Sequence, residues 1–169
     1  MPTSDMPRAI RAKVREPAQL SLAVQYTIED PDFPSRAPLR RWISAALERD
    51  AAITLRIVDA KEGRDLNLTY RKKNYATNVL TFVYGESLDG VLSGDIVLCA
   101  PIVAKEARRQ RKALLHHYAH LVIHGTLHLQ GYDHETHAEA EVMERREIAL
   151  LERMKIANPY RATNQLGPG

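Results

Sequence analysis

The sequence is poor in cysteine and lacks long apolar runs, and each absence excludes a class of protein. One residue of 169, Cys99, is a cysteine, so no internal disulfide can form and a reducing compartment, the cytoplasm, is expected. We interpret Cys99 as a buried small hydrophobe. No apolar run reaches the roughly 18 residues of a membrane-spanning helix. Residues 1–19 carry scattered basic residues without an apolar core, which argues against a secretion signal and against a membrane partner.

The composition is that of an ordinary globular protein. Apolar residues make up 44% of the chain and charged residues 27%, and no internal repeat or low-complexity tract is present. A chain of this length is expected to form one domain with a hydrophobic core. We place that domain at residues 20–160, with a flexible arm at residues 1–19 and a loose tail at residues 161–169.

Hydrophobic periodicity predicts four strands and five helices. The strands are expected at residues 20–27, 53–60, 77–83 and 94–100, with a hairpin-like loop at 85–90, and the helices at 38–49, 61–73, 101–109, 112–130 and 136–154. This order indicates an α+β fold, a roughly four-stranded mixed sheet covered by about five helices. The C-terminal helices would form a metal cleft.

Positive charge is clustered although the net charge is only +3. Residues 105–112 carry five basic residues against one glutamate, and further basic clusters lie at residues 36–41 and 71–73. Such runs are often solvated helix faces. Three of them in a chain of pI 9.1 favour a polyanionic partner, because phosphates attract cations whatever the sequence. The candidate substrate-binding residues are Lys72, Lys73, Lys105, Arg108 and Arg109.

The stretch HGTLHLQGYDH, residues 124–134, holds three histidines around a glycine. His124 and His128 are four apart on a predicted helix, so their imidazoles project from one face and can share a metal ion. Gly131 can adopt the left-handed conformation that ends a helix, and the chain can then bend back to bring His134 to the same ion. Three neutral histidines leave a fourth tetrahedral position open, as in a catalytic zinc site.

The spacing does not define the roles of the other histidines or the identity of the metal ion. All seven histidines lie within residues 116–137, a concentration that favours a metal site. His120, one turn before His124, is assigned to packing or to support of the ligands, and His117 to the surface. We expect one Zn²⁺ per chain, although nickel, copper and iron also accept imidazole.

Two other functions are compatible with the same histidines. Metzincin peptidases share the spacing as H-E-x-x-H-x-x-G-x-x-H, in which the glutamate is the general base. Gly125 stands at that position here and cannot accept a proton. The other alternative is a non-catalytic assembly factor whose metal only holds the last two helices together. An open coordination position argues against it.

Residues 124–134 resemble the HGxLHLxGYDH signature of the YbeY family, bacterial endoribonucleases of ribosomal RNA maturation. The resemblance covers about residues 50–160. LNLTYRKKNYATNVLTF (66–82) is similar to the family's LNxxYRxxDxPTDVLSF, and GDIVLCAPIVAKEA (94–107) is similar to its GDIVI strand. MERRE (143–147) and NPY (158–160) also fit. It implies a single metal-dependent endoribonuclease domain, an α+β sheet with a deep metal cleft beside a basic surface.

The same resemblance implies residue roles and partners. His124, His128 and His134 are then the zinc ligands, and Arg71 is the active-site arginine. The implied substrate is single-stranded ribosomal RNA, with roles in maturation of the 16S rRNA 3′ end and in ribosome quality control. The implied partners are the small ribosomal subunit, with a small-subunit ribosomal protein and an assembly GTPase as candidate protein partners.

The predicted chemistry is metal-assisted cleavage of a phosphodiester bond. Arg71 is planar and always charged, which suits a non-bridging phosphate oxygen whose charge grows in the transition state. Without the resemblance, Arg71 would be interpreted as a surface cation. No residue is assigned as general base, since Asp133 and Glu135, which flank His134, are more typical of carboxylates that orient a ligand.

The sequence departs from the family pattern at four positions. Asn74, Ala76 and Asn78 stand where the pattern has Asp, Pro and Asp, which removes negative charge near the arginine. Arg111 stands where a glycine is usual, so a softer break between the neighbouring helices is expected. None of these changes affects a predicted ligand.

Overall fold

A computed structural model describes residues 16–160, which form a four-stranded mixed sheet with five helices. The strands are β1 (Leu20–Tyr26), β2 (Ala51–Val58), β3 (Val79–Glu86) and β4 (Leu92–Cys99). The helices are α1 (Arg36–Ala46), α2 (Ala60–Arg71), α3 (Ala100–Arg109), α4 (Leu114–Leu129) and α5 (His137–Arg153). The predicted α+β class is confirmed. The predicted tail, and the predicted arm up to residue 15, lie outside the described residues.

The strand order is β1-β2-β4-β3. β1, β2 and β4 are parallel to one another, and β3 pairs antiparallel with β4 at the edge of the sheet. β3 extends to Glu86, two residues into the predicted loop, because it continues to pair with β4 across an irregularity in the register.

The main core fills one face of the sheet. Ile53, Leu55 and Ile57 alternate with partly exposed residues on β2, the period of a strand that buries one face more deeply. They pack in one cluster with buried residues of α1, α4 and α5. A smaller cluster on the other face contains Val97 and Cys99 and is covered by residues of α2 and α3. The buried position predicted for Cys99 is confirmed.

Local capping defines where the helices around the site begin and end. α2 begins after Asp59, whose side chain accepts from the backbone N–H of Glu62 at 2.9 Å. α5 begins with a capping box between Thr136 and Glu139. Arg111, between α3 and α4, takes φ 54, the left-handed conformation for which glycine is usual, and the softer break expected there stays a prediction. Across residues 16–160, no helix is long and apolar enough to cross a membrane.

Candidate metal centre and active site

The three predicted metal ligands lie at the end of α4 and in the loop that follows it. His124 and His128 are one turn apart on α4, and Gly131 takes φ 105 just after the helix ends, which confirms the predicted hinge. The chain then turns back towards α4. The ring centroid of His134 lies 5.3 Å from that of His124 and 5.9 Å from that of His128. The ring of His134 therefore lies close to both helical imidazoles, although the group of ligand atoms within 4.8 Å of one another contains His128, Asp133 and His134 and not His124.

The hydrogen bonds of the two helical histidines fit a metal site. His128 Nδ1 lies 2.9 Å from the carbonyl oxygen of Tyr132, and His124 Nδ1 lies 2.8 Å from Oε2 of Glu147. A carbonyl or carboxylate oxygen can only accept, so each Nδ1 donates, and in the neutral form of the ring Nε2 is the nitrogen with a lone pair for a metal. Metal-binding histidines are usually held in this way through their second nitrogen.

A carboxylate also lies at the site. Ligand atoms of His128, Asp133 and His134 all lie within 4.8 Å of one another, which is close enough to hold one ion. Asp133 Oδ1 also accepts from the backbone N–H of His134 at 2.7 Å, a bond to the main chain and not to the imidazole, so the orienting role predicted for this carboxylate stays a prediction. The geometry makes Asp133 a candidate ligand as well, beside His124 or in its place. Imidazole and carboxylate donors suit several divalent metals.

Glu147 of α5 supports the histidines from behind. Its carboxylate is fully buried and accepts from His120 Nε2 at 2.8 Å, from the Tyr160 hydroxyl at 2.6 Å and from His124 Nδ1 at 2.8 Å. Burial alone would raise the pKa of Glu147, but the hydrogen bonds from His120 and His124 lower it to about 2. The carboxylate is therefore ionised at neutral pH and fixes the orientation of His124.

The role of Glu147 is absent from the predicted site, although the sequence carries a signal for it. Glu147 lies on the same face of α5 as the buried Met143 and Leu150, and a charged residue in an apolar helical stripe usually has a buried partner. The surface position predicted for His117 is wrong. His117 is buried because α3 lies beside α4, and its Nε2 contacts Glu106 of α3 at 2.9 Å.

Arg71, the last residue of α2, faces the same cavity as the histidines. Its Nη2 donates to the carbonyl oxygen of Thr81 at 2.7 Å, and its guanidinium lies 5.6 Å from the centroid of the Phe82 ring. The cavity measures about 500 Å³, and its lining includes Arg71, His124, His128, Asp133, His134 and Glu135. The candidate catalytic arginine and the candidate ligands therefore share one cavity.

The predicted substrate-binding residues divide between this cavity and a separate helix. Lys73 lines the cavity. Lys72 is exposed and ends α2 in a left-handed conformation with φ 62. Lys105, Arg108 and Arg109 are exposed on α3. The described lining of the cavity includes neither Lys72 nor the three cations of α3. Their part in RNA binding stays a prediction.

Gly125 and Asn78 are the positions at which this site differs from the peptidase motif and from the family pattern, respectively. A Cβ added to Gly125 would lie 3.3 Å from Thr81 and 3.4 Å from Ile96. A side chain at residue 125 would press against the sheet. The place of the glutamate base in the peptidases is therefore taken here by close packing of α4 on the sheet. Asn78 donates to Glu106 at 3.0 Å and accepts from the backbone N–H of Val79 at 2.6 Å. An ionised aspartate could not make the first of these bonds.

Comparison with known proteins gives the family. The sequence matches the family model described as Endoribonuclease YbeY over residues 29–155. A protein named Endoribonuclease YbeY from Thiobacillus denitrificans is 58% identical over 84% of this chain and 97% of its own length. One of the same name from Cupriavidus pinatubonensis is 57% identical over 76% of this chain and 64% of its own length. A Thermotoga maritima protein solved in solution aligns over 89% of this chain and 99% of its own with a TM-score of 0.49 and 21% identity. The chain described here belongs to the YbeY family.

Proposed function

We propose that this chain is a metal-dependent endoribonuclease that cleaves single-stranded ribosomal RNA. The observation that carries the proposal is the shared cavity of Arg71 and the convergent histidines, in a chain whose relatives are named endoribonucleases. Clustered cations on the exposed face of α3 support a polyanionic substrate.

The chemistry divides between the ion and the chain. When bound, a divalent metal ion supplies Lewis acidity and activates water for attack at phosphorus. His124, His128 and His134 would hold the ion, and Glu147 would keep His124 in the tautomer that leaves Nε2 for the metal. Arg71 uses one of its five N–H donors on Thr81. The contact fixes the direction of the guanidinium, and the remaining donors can bind a non-bridging phosphate oxygen.

The proposed ligand set is the three histidines, with Zn²⁺ as the ion and one ion per chain. The rival set replaces His124 with Asp133. Glu147 favours His124, because a fully buried carboxylate is placed on its Nδ1, and this contact has the form of the support given to metal-bound imidazoles. His124→Ala is expected to lower zinc affinity far more than Asp133→Asn. The reverse order, measured by competition with a metal-sensitive dye, would favour the rival set.

The proposed setting is the cytoplasm and the assembly of the small ribosomal subunit. There the enzyme would mature the 3′ end of 16S rRNA and take part in ribosome quality control. A small-subunit ribosomal protein and an assembly GTPase are the proposed protein partners. Co-purification of tagged protein with 30S precursors, compared with a His128→Ala variant, tests this setting.

One experiment distinguishes the proposed activity from its two rivals. Metal-loaded protein is incubated with labelled ribosomal RNA and, separately, with casein, each with and without a chelator. We expect RNA to be cleaved only without chelator and casein to stay intact. Chelator-sensitive cleavage of casein would identify a peptidase. Metal binding with neither substrate cleaved would identify a non-catalytic assembly factor.

A further inference from the structure

A second cavity adjoins the candidate metal centre on the other side of Arg71. It measures about 570 Å³ and shares Arg71, Thr81 and His128 with the first cavity. A volume of this order suits a small ligand or one building block of a polymer. The cavity lies between α2 and the sheet face that carries the smaller apolar cluster, since Leu66 and Val97 line it.

Aromatic rings form the walls of this second cavity. Tyr70 packs edge-on against Phe82, with ring centroids 5.2 Å apart, and the Arg71 guanidinium lies beside the same Phe82 ring. Tyr70 and Tyr84 stay 63% and 67% exposed. Exposed aromatic rings next to a cation are the typical platform on which single-stranded nucleic acids stack their bases.

Tyr84 lines the cavity two residues after Phe82, at a β-bulge in β3. Val83 pairs with Gly94, but the next pair along is Gly85 with Ser93, so Tyr84 is the extra residue of the bulge. The Tyr84 hydroxyl donates to Asp95 Oδ2 at 2.7 Å, and this hydrogen bond raises the pKa of Tyr84 to about 12, so the hydroxyl keeps its proton.

Asp95 gives the cavity a hydrogen-bond acceptor with negative charge. A carboxylate can accept about four hydrogen bonds, and Tyr84 supplies one. Among the described residues, the cavity lining contains one cation besides Arg71, Arg56, which is paired with Glu62. Asp95 can therefore accept from a donor on a ligand, and a carboxylate is the usual acceptor for the exocyclic amino group of cytosine. Uracil carries a carbonyl oxygen in that position.

We propose that this cavity is the subsite for a nucleobase next to the cleaved phosphate, and that it favours cytosine over uracil. The base stacks on Tyr84 and Tyr70, and its amino group donates to Asp95. The proposal rests on the proposed function, since Arg71 lines both cavities and a base held in the second places its phosphate beside the first.

The test measures binding in excess chelator, so that cleavage does not interfere. Fluorescent octamers of cytidine, of uridine and of a stabilised abasic sugar-phosphate carry the same charge and are titrated with the full chain. We expect the cytidine octamer to bind about tenfold more tightly than the uridine octamer, as for one hydrogen bond to a charged group. Tyr84→Ala should weaken the cytidine octamer about 5- to 100-fold and leave the abasic octamer unchanged.

Two further variants control for misfolding and test the selectivity for cytosine. Tyr84→Phe retains the ring and should keep most of the affinity, which controls for damage to β3. Asp95→Asn should bring the cytidine and uridine octamers to similar affinity. Equal binding of all three octamers to the unaltered chain would overturn the subsite, and equal binding of cytidine and uridine alone would overturn the role of Asp95. Failure of the proposed function has a different signature, which is metal-loaded protein that leaves labelled ribosomal RNA intact whatever the order of the octamer affinities.

Discussion

Among single residues, Glu147 is the buried support on which the metal site depends. In Glu147→Gln, the amide nitrogen can only donate, so it cannot accept from both His124 and the His120–Tyr160 pair. We expect the metal affinity to fall about 10- to 100-fold. The free energy of unfolding should fall by about 1–3 kcal/mol, because a buried donor loses its acceptor. A zinc titration and a denaturant melt measure the two effects.

The matched control for this prediction is Glu152→Gln. Glu152 lies on the same helix but is exposed, so the substitution should change neither metal affinity nor stability. If Glu147→Gln kept the metal as firmly as this control, the supporting role of Glu147 would be wrong.

Arg71 is expected to serve RNA cleavage without holding the metal. The side chain is exposed and is not a ligand, so Arg71→Ala should leave the metal content and the melting temperature nearly unchanged. RNA cleavage should fall about a hundredfold or more, the effect of losing one strong contact to a developing charge. Arg71→Lys should restore part of this, since an ammonium lacks the planar fork. Loss of the metal in Arg71→Ala would show instead that the arginine is structural.

How far the site is predictable from sequence depends on how far apart its parts lie in the chain. Spacing alone suggests that His124, His128 and His134 can meet, because a helix and one glycine connect them. Spacing cannot show that Glu147 reaches His124, since the contact depends on how α5 packs on α4. The aromatic cavity is also hidden, because Tyr70 and Tyr84 come from separate elements.

At the scale of elements, the end of α4 is where the backbone controls the metal site. Gly131 takes φ 105, and a Cβ added there would meet no atom within 4 Å. Gly131→Ala therefore costs only backbone strain, about 1–2 kcal/mol of unfolding free energy, and relief of that strain should displace His134. We expect weaker metal binding, measured by zinc titration of the variant.

Gly90→Ala is the control for backbone strain. Gly90 also has positive φ and open space around its Cβ position, but it lies in the turn between β3 and β4. This variant should lose a similar amount of stability and keep its metal affinity. Equal metal affinity in both variants would show that the conformation at Gly131 does not position His134.

The elements themselves are largely predictable, and their arrangement is not. All four strands and five helices agree with the prediction, with boundaries shifted by a few residues, because local periodicity and capping define them. The placement of β4 between β2 and β3 comes from pairings between distant residues. The bulge at Tyr84 also depends on the pairing of β3 with β4. Local periodicity does not detect this pairing and therefore predicts a loop where β3 continues.

For the whole molecule, the distribution of charge predicts how RNA binding responds to salt. Each phosphate neutralised should add about 0.7 to the slope of log affinity against log salt for single-stranded RNA. Reversal of Arg108 and Arg109 to glutamate should weaken binding and reduce this slope without changing the metal content. Reversal of Arg145 and Arg153 on α5 is the control and should have a smaller effect. An affinity that stays flat from low to physiological salt would count against nucleic acid as the ligand.

The most direct test of the account is the number of metal ions bound per chain, measured by elemental analysis after gentle purification and again after zinc addition. His128 is common to both candidate ligand sets, whereas His137 is exposed at the start of α5. We predict about one tightly held ion in the unaltered chain, about one in His137→Ala and close to none in His128→Ala. An unaltered chain that holds no metal even after zinc addition, or a His128→Ala variant that keeps a full ion, would contradict the account.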